Sequence, residues 1–336
     1  MDSGLFDTRP AVTSVQAPKK NRLNLLPPNP EEQEADQVVG PGRFPSWLHR
    51  PLPKGGSNAI TGQVINQNRL HTVCEEAKCP NLLECWSKKT ATFLVMGKAC
   101  TRNCGFCDID FSKAPLELEL DEPNRVAESI SQLGLQHVVI TMVARDDLPD
   151  GGAAHLAKIV STIRQQLPEV TIELLTSDFQ GNQDAWDIIL DARPEIFNHN
   201  IETVRELTPR VRHKATYERT LALLNYAKKH VRDSSQLVKS GLMVGLGETE
   251  EQVKETIQDL AAQGCDIITM GQYLQPSRQK LLVKTFVTPE QFKKYEEYGY
   301  ALGVKYMYCG PFVRSSYNAN VVIRQANDRI RIMNSQ

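Results

Sequence analysis

From Thr92 onward, short apolar runs alternate with longer amphipathic segments along this 336-residue chain. The runs at Thr92–Met96, His137–Thr141, Thr171–Leu175, Glu195–Asn198, Ser240–Val244 and Ile267–Met270 have the length and apolar content of buried strands. Helices are predicted at Asn124–Leu133, Ala153–Gln166, Gln183–Asp191, Tyr217–Lys229, Glu250–Gln263 and Pro289–Leu302. In the fifth, Val253, Ile257, Leu260 and Ala261 fall at i, i+4, i+7 and i+8 and share one face. Thr249 with Gln252 forms a capping box at its start, and Gly264 supplies the stop. Thr288 followed by Pro289 is an N-cap with proline in the first turn.

Six strands, each leading into a helix or helical connection, predict a parallel sheet with right-handed crossovers. A doubly wound sheet and an incomplete barrel both satisfy that pattern. No glycine-rich phosphate loop opens the first unit, which removes the usual marker of a dinucleotide fold. The expected fold class is therefore α/β, a partial (β/α)6 barrel of the TIM type with N- and C-terminal extensions. Residues 1–57 carry Pro27, Pro28, Pro30, Pro41, Pro45, Pro51 and Pro53 and show no helical or strand period. They read as a proline-rich arm, partly disordered, with Trp47 and Leu48 anchoring its later part.

Composition adds exclusions. With 40% apolar and 24% charged residues, the chain has the makings of a sizeable core. A formal charge of −1 gives no electrostatic case for nucleic acid or an anionic membrane as partner. No apolar run reaches the ~18 residues of a transmembrane helix. The N-terminus lacks a secretory apolar core, and Asp2 and Asp7 count against a transit peptide. A cytoplasmic location is expected, where clustered cysteines serve as ligands or catalysts rather than disulfides.

Of eight cysteines, six form two triplets: Cys74, Cys79 and Cys85 as C-x4-C-x5-C, then Cys100, Cys104 and Cys107 as C-x3-C-x2-C. Cys265 and Cys309 stand apart in apolar surroundings and read as inert core thiols. Structural zinc wants four ligands, commonly from paired cysteines or histidines, and His71 is a candidate fourth for the first triplet. Iron–sulfur ligation fits better, because three thiolates on a cubane leave one iron open to a substrate. The second triplet follows the strand Thr92–Met96, which puts it where barrel enzymes build active sites.

The segment from Cys100 to Cys107, CTRNCGFC, resembles the signature of radical S-adenosylmethionine enzymes. The upstream CEEAKCPNLLECW is similar to one family among them, lipoyl synthase. The likeness runs from about Pro45 to Asn320 through RDDLPDGGA (from Arg145), FNHNIETV (from Phe197), KSGLMVGLGET (from Lys239), GQYLQPS (from Gly271) and GPFVRSSYNA (from Gly310). It implies a barrel of the radical S-adenosylmethionine kind spanning residues 92–304. Residues 58–91 would then form an auxiliary-cluster segment, and residues 305–336 a C-terminal extension holding the RSSY motif.

By this resemblance, Cys100, Cys104 and Cys107 are catalytic and hold the 4Fe–4S cluster that cleaves S-adenosylmethionine, with Phe106 near the adenine. Cys74, Cys79 and Cys85 would hold a second 4Fe–4S cluster whose fourth ligand is Ser316, with Ser315 the alternative. An alkoxide is a harder and poorer match for iron than thiolate, so it suits a cluster consumed as a sulfur donor. The implied activity is a sulfurtransferase inserting two sulfur atoms, at C6 and C8 of a protein-bound octanoyl-lysine, to give lipoyl-lysine. Implied partners are octanoylated lipoyl-domain proteins (a 2-oxoacid dehydrogenase E2 subunit, the glycine-cleavage H protein), an electron donor and a cluster-repair protein.

Polar residues at strand ends complete the expectation for cofactor contacts: Arg145, Asp146, Asn198, Asn200, Glu202, Gln272 and Tyr273, with Arg314 compensating charge near the auxiliary cluster. The chain departs from the family pattern at Ala144, Ser177 and Lys280-Leu281-Leu282. Those departures leave open a diverged copy with another acceptor, or another two-cluster sulfur-inserting enzyme.

Overall fold

The computed structural model describes residues 44–49, 57–87, 91–232 and 236–316. Most of the predicted N-terminal arm, and the C-terminal extension from Tyr317, lie outside the described residues. Of the two predicted anchors, Leu48 is buried and Trp47 stays partly exposed.

Among the described residues there are ten strands: β1 (His71–Thr72), β2 (Thr92–Val95), β3 (Ala99–Cys100), β4 (Asp110–Phe111), β5 (His137–Met142), β6 (Thr171–Leu175), β7 (Ile196–Asn198), β8 (Leu237–Val244), β9 (Ile267–Gln272) and β10 (Tyr306–Gly310). Eight build one sheet in the order β1-β2-β5-β6-β7-β8-β9-β10, and β3 pairs with β4 apart from it. From β2 to β10 every pairing is parallel, and β1 adds to the edge antiparallel. Sequence neighbours are thus sheet neighbours throughout, without the order reversal of a doubly wound sheet. Among the described strands β10 does not pair with β1 or β2, so this is an open, partial barrel.

All six predicted strands are found, and each follows from apolar content: β2 and β9 are buried along their whole length. The helices pack outside. Pro123 starts the helix Glu122–Leu133, and Gly134 ends it in the left-handed conformation at φ 66°. The capping box of Thr249 and Gln252 opens the helix Glu250–Ala262, whose Val253, Ile257 and Leu260 join the core. Thr288 caps Pro289–Ala301 through the Gln291 amide.

The barrel interior is layered. Ile196, Leu237, Ile267 and Tyr306 form an apolar floor at the N-terminal ends of four adjacent strands. Above it lies a buried ion pair, with Lys239 Nζ at 2.9 Å from each carboxylate oxygen of Glu173. Their side chains are 1% and 0% exposed. No described helix is long and apolar enough to cross a membrane.

Candidate active site

A cavity of about 570 Å³ opens where β5, β6, β7 and β9 end. All six triplet cysteines line it, as do Ser315 and Ser316. None of these cysteines is in a disulfide. The two triplets and the RSSY serines, far apart in sequence, therefore face one chamber.

The second triplet sits on a loop braced from several sides. Cys100 ends β3. Thr101 donates from its amide and its hydroxyl to Ala144 O, at 3.0 and 2.9 Å. Gly105 donates to Val211 O and accepts from the Leu281 amide, both at 3.0 Å. A Cβ at Gly105 would sit 2.9 Å from Leu281 Cδ1 and 3.3 Å from Arg210 O, so a side chain there would push the Leu281 wall back. Lys280 reaches Asn103 Oδ1 at 3.3 Å and Lys214 reaches Thr101 O at 3.0 Å. The departure at Lys280-Leu281-Leu282 therefore belongs to the wall that holds the cysteine loop.

Arg102, inside the loop, is buried between two carboxylates. It donates to Asp146 at 2.8 and 3.0 Å and pairs with Asp178 at 2.6 Å. Burial raises the Asp178 carboxyl, but Arg102 and Arg219 more than offset this and hold it at about 2. Two cations on one buried carboxylate lock the loop to β6's end.

The first triplet is local in origin. Thr72 caps the short helix Val73–Glu76 that carries Cys74. The Cys79 amide donates to Cys74 O at 3.0 Å, and the Cys85 amide to Asn81 O at 2.9 Å. Asn81 also donates to Phe312 O at 2.7 Å, tying this segment to the RSSY turn. The turn seats itself on β9: a Cβ at Gly271 would meet Val313 O at 2.0 Å, which glycine alone allows.

Burial pushes the thiols of Cys74 and Cys107 up to about 12 and that of Cys104 to about 11. Such thiols are inert until a metal displaces their protons. Among the described residues no three His, Cys, Asp or Glu converge as a single ion requires. A cubane needs no such convergence, because each thiolate binds its own iron. Three thiolates on one braced loop, three on a second segment and serine hydroxyls opposite fit two clusters better than one zinc.

The remaining predicted contacts separate. Phe106 and Tyr273 line the cavity within one apolar cluster with Val211, Leu246 and Val283, and the Tyr273 hydroxyl donates to Leu281 O at 2.8 Å. Asn200 and Glu202 line it too. Burial raises the Glu202 carboxyl, and its backbone is held at φ 67°, a strained setting for a non-glycine residue. Arg145, Asp146 and Gln272 do not line the cavity. Arg145 pairs with Asp147 at 2.8 Å, and Asp146 braces Arg102. Gln272, fully buried, donates to Val244 O, Tyr273 O and Thr285 O. Asn198 lies beneath the cavity between Glu173 and Ser315. Arg314 donates to Val313 O at 2.7 Å.

Sequence reasoning missed His199 and Arg212, which line the same chamber. His199 is buried, hydrogen-bonded to Thr176 O and Thr220 Oγ1; burial, then Arg212, lowers it to about 4. Arg212 donates to the carbonyls of Asn200 and Ile201. His199 lies within the quoted FNHNIETV, so position beside Asn198 and Asn200 was the available signal.

Comparison with known proteins agrees with this chemistry. Residues 94–260 match the model of the Radical SAM superfamily. The chain is 68% identical over 320 residues to a lipoyl synthase of Protochlamydia amoebophila, covering 95% of this chain and 99% of the relative. It is 52% identical over 304 residues to a lipoyl synthase of Chlamydia muridarum, covering 90% and 97%. In fold it is similar to Streptococcus suis SuiB bound to S-adenosylmethionine, at TM-score 0.52 and 10% identity, covering 68% of this chain and 53% of that one. The hydrogenase maturase HydG of Carboxydothermus hydrogenoformans gives TM-score 0.50 at 14% identity, covering 80% and 78%. A cysteine chamber in an open parallel barrel, with this identity over nearly the whole length, places the chain in the lipoyl synthase family of radical S-adenosylmethionine enzymes.

Proposed function

We propose that this enzyme inserts two sulfur atoms, at C6 and C8 of an octanoyl group carried on a lysine of a lipoyl-domain protein. The observation that carries the reading is the single cavity that both cysteine triplets and the RSSY serines line. Cys100, Cys104 and Cys107 would hold the cluster for S-adenosylmethionine. Cys74, Cys79 and Cys85 would hold the second, with Ser316 as its fourth ligand. Ser316 is favoured over Ser315 because among the described residues no hydrogen bond engages its side chain, whereas two engage that of Ser315. When bound, the first cluster supplies the electron that cleaves S-adenosylmethionine to a radical, and the second supplies sulfur.

The chain's own residues orient and shield. Phe106 and Tyr273 offer apolar faces for the adenosine, and Asn200 and Glu202 offer polar groups at the strand ends. The C6 and C8 hydrogens are beyond any side-chain base, so the chamber's task is to exclude water and align the acyl chain between the two metal sites. Carriers of the E2 subunit or H-protein type, a reducing partner and a cluster-repair partner complete the reading. In this reading residues 58–91 are the auxiliary-cluster segment, residues 92–304 the barrel and residues 305–336 the C-terminal extension that carries the RSSY motif.

The test is mass spectrometry of an octanoylated lipoyl-domain protein incubated anaerobically with enzyme, reductant and S-adenosylmethionine. Gain of two sulfurs is expected. Formation of 5′-deoxyadenosine with an unmodified carrier would point to another acceptor.

A further inference from the structure

We propose that Ser315 is a positioning residue whose hydroxyl, clamped by Asn198 and Asn200, aims Ser316 at the auxiliary-cluster cysteines. The inference rests on the two-cluster reading above and assigns the two serines different work.

The Ser315 hydroxyl has one proton and spends it on Asn200 Oδ1 at 2.9 Å, while accepting from Asn198 Nδ2 at 2.8 Å. Both amides are themselves fixed. Asn198, fully buried, donates from the same nitrogen to Glu173 Oε1 at 2.6 Å. That carboxylate is held in turn by Lys239. Asn198 must therefore present its NH2 group toward Ser315, since turning it over would set its oxygen against Glu173. Asn200 donates to Glu202 Oε1 at 3.1 Å, which leaves its oxygen facing Ser315.

The serine is thus the upper end of a polar chain that starts on the barrel floor. Its members come from β6, β7 and β8 and from the loop after β7, parts set by the sheet itself. The backbone around it is seated independently: the Gln272 amide donates to Pro311 O at 3.3 Å, and Asn81 donates to Phe312 O. None of these bonds involves a cysteine. A turn held this way keeps Ser316 in place without relying on a metal–oxygen bond, the weakest link in the proposed ligand set.

The test uses the full-length enzyme with both clusters loaded, challenged with a ferrous-iron chelator. Iron and sulfide content, Mössbauer spectra and release kinetics are compared for wild type, Ser315→Ala, Ser315→Thr and Ser316→Ala. Ser315→Ala is expected to keep the wild-type iron content and the Mössbauer signature of an oxygen-ligated iron. Its auxiliary iron should leave about thirtyfold faster, the scale of losing both buried hydrogen bonds of the Ser315 hydroxyl. Ser315→Thr, which restores the hydroxyl, should release iron at the wild-type rate, and Ser316→Ala should abolish the signature. Wild-type release kinetics in Ser315→Ala overturns the clamp. Loss of the oxygen-ligand signature in Ser315→Ala with retention in Ser316→Ala also overturns it, by exchanging the roles. Wild-type protein that loads only one cluster sinks the two-cluster reading and the clamp with it, and iron content alone distinguishes that failure.

Discussion

Lys239→Met removes one partner of the most deeply buried ion pair in the barrel. The lysine nitrogen lies 2.9 Å from both oxygens of Glu173, and neither side chain has meaningful access to water. Among the described residues the carboxylate keeps only the Asn198 amide once Lys239 is gone. Leaving a buried charge without its counter-ion costs about 3–5 kcal/mol, a large share of the ~5–15 kcal/mol that holds a native domain together. Glu173→Gln on top of Lys239→Met removes the stranded charge while keeping an acceptor for Asn198. The double variant should therefore recover most of the loss, ending within about 1–2 kcal/mol of wild type. The assay is urea unfolding of metal-free protein, so that cluster binding does not contribute to the difference. A single variant within about 1 kcal/mol of wild type, or a double no better than the single, refutes the reasoning.

Cys79→Ala is expected to cleave S-adenosylmethionine, measured as 5′-deoxyadenosine, yet deliver no sulfur to an octanoylated carrier; sulfur insertion by this variant contradicts the division between triplets. Gly271→Ala places a Cβ 2.0 Å from Val313 O and must displace the RSSY turn. Its iron content should fall by about half while the spectroscopic change on adding S-adenosylmethionine survives. Acidification should destabilise the protein between pH 6.5 and about 4 because His199 is folded in its neutral form. In that window the unfolded chain binds a proton that the folded one refuses, so stability rises with pH and is fully present above 6.5. His137, lowered to about 4 mainly by burial, acts in the same sense. Thermal midpoints across this range should show a shallower slope in His199→Gln; an unchanged slope removes His199 from the account.

The strands and the cysteine spacing were legible because each is written locally. Apolar runs such as Ile267–Met270 report burial on both faces, and a triplet within eight positions reports a ligand loop. What pairs with what was not legible. Lys239 interrupts an apolar run, so the pattern predicts a strand only from Ser240, whereas β8 begins at Leu237 and carries Lys239 into the barrel interior. Its partner Glu173 is 66 residues away, and Asn198 and Ser315 are separated by 117. Such contacts are made by crossover topology, which hydrophobic periodicity does not encode. For the same reason Arg145, Asp146 and Gln272 read as pocket groups from their position after strands, although their side chains brace neighbouring loops. The apolar pattern does not predict β10, because Tyr306–Gly310 is short, aromatic and partly exposed, and only its pairing with β9 makes it a strand.

The central claim is that two triplets on one chamber do different work, one making the radical and the other giving up sulfur. Its most direct test is to rebuild the clusters with isotopically labelled sulfide and weigh the lipoyl group formed in a single turnover. The account predicts that both inserted sulfurs carry the label and that Cys79→Ala yields none. Unlabelled sulfur in the product would contradict it.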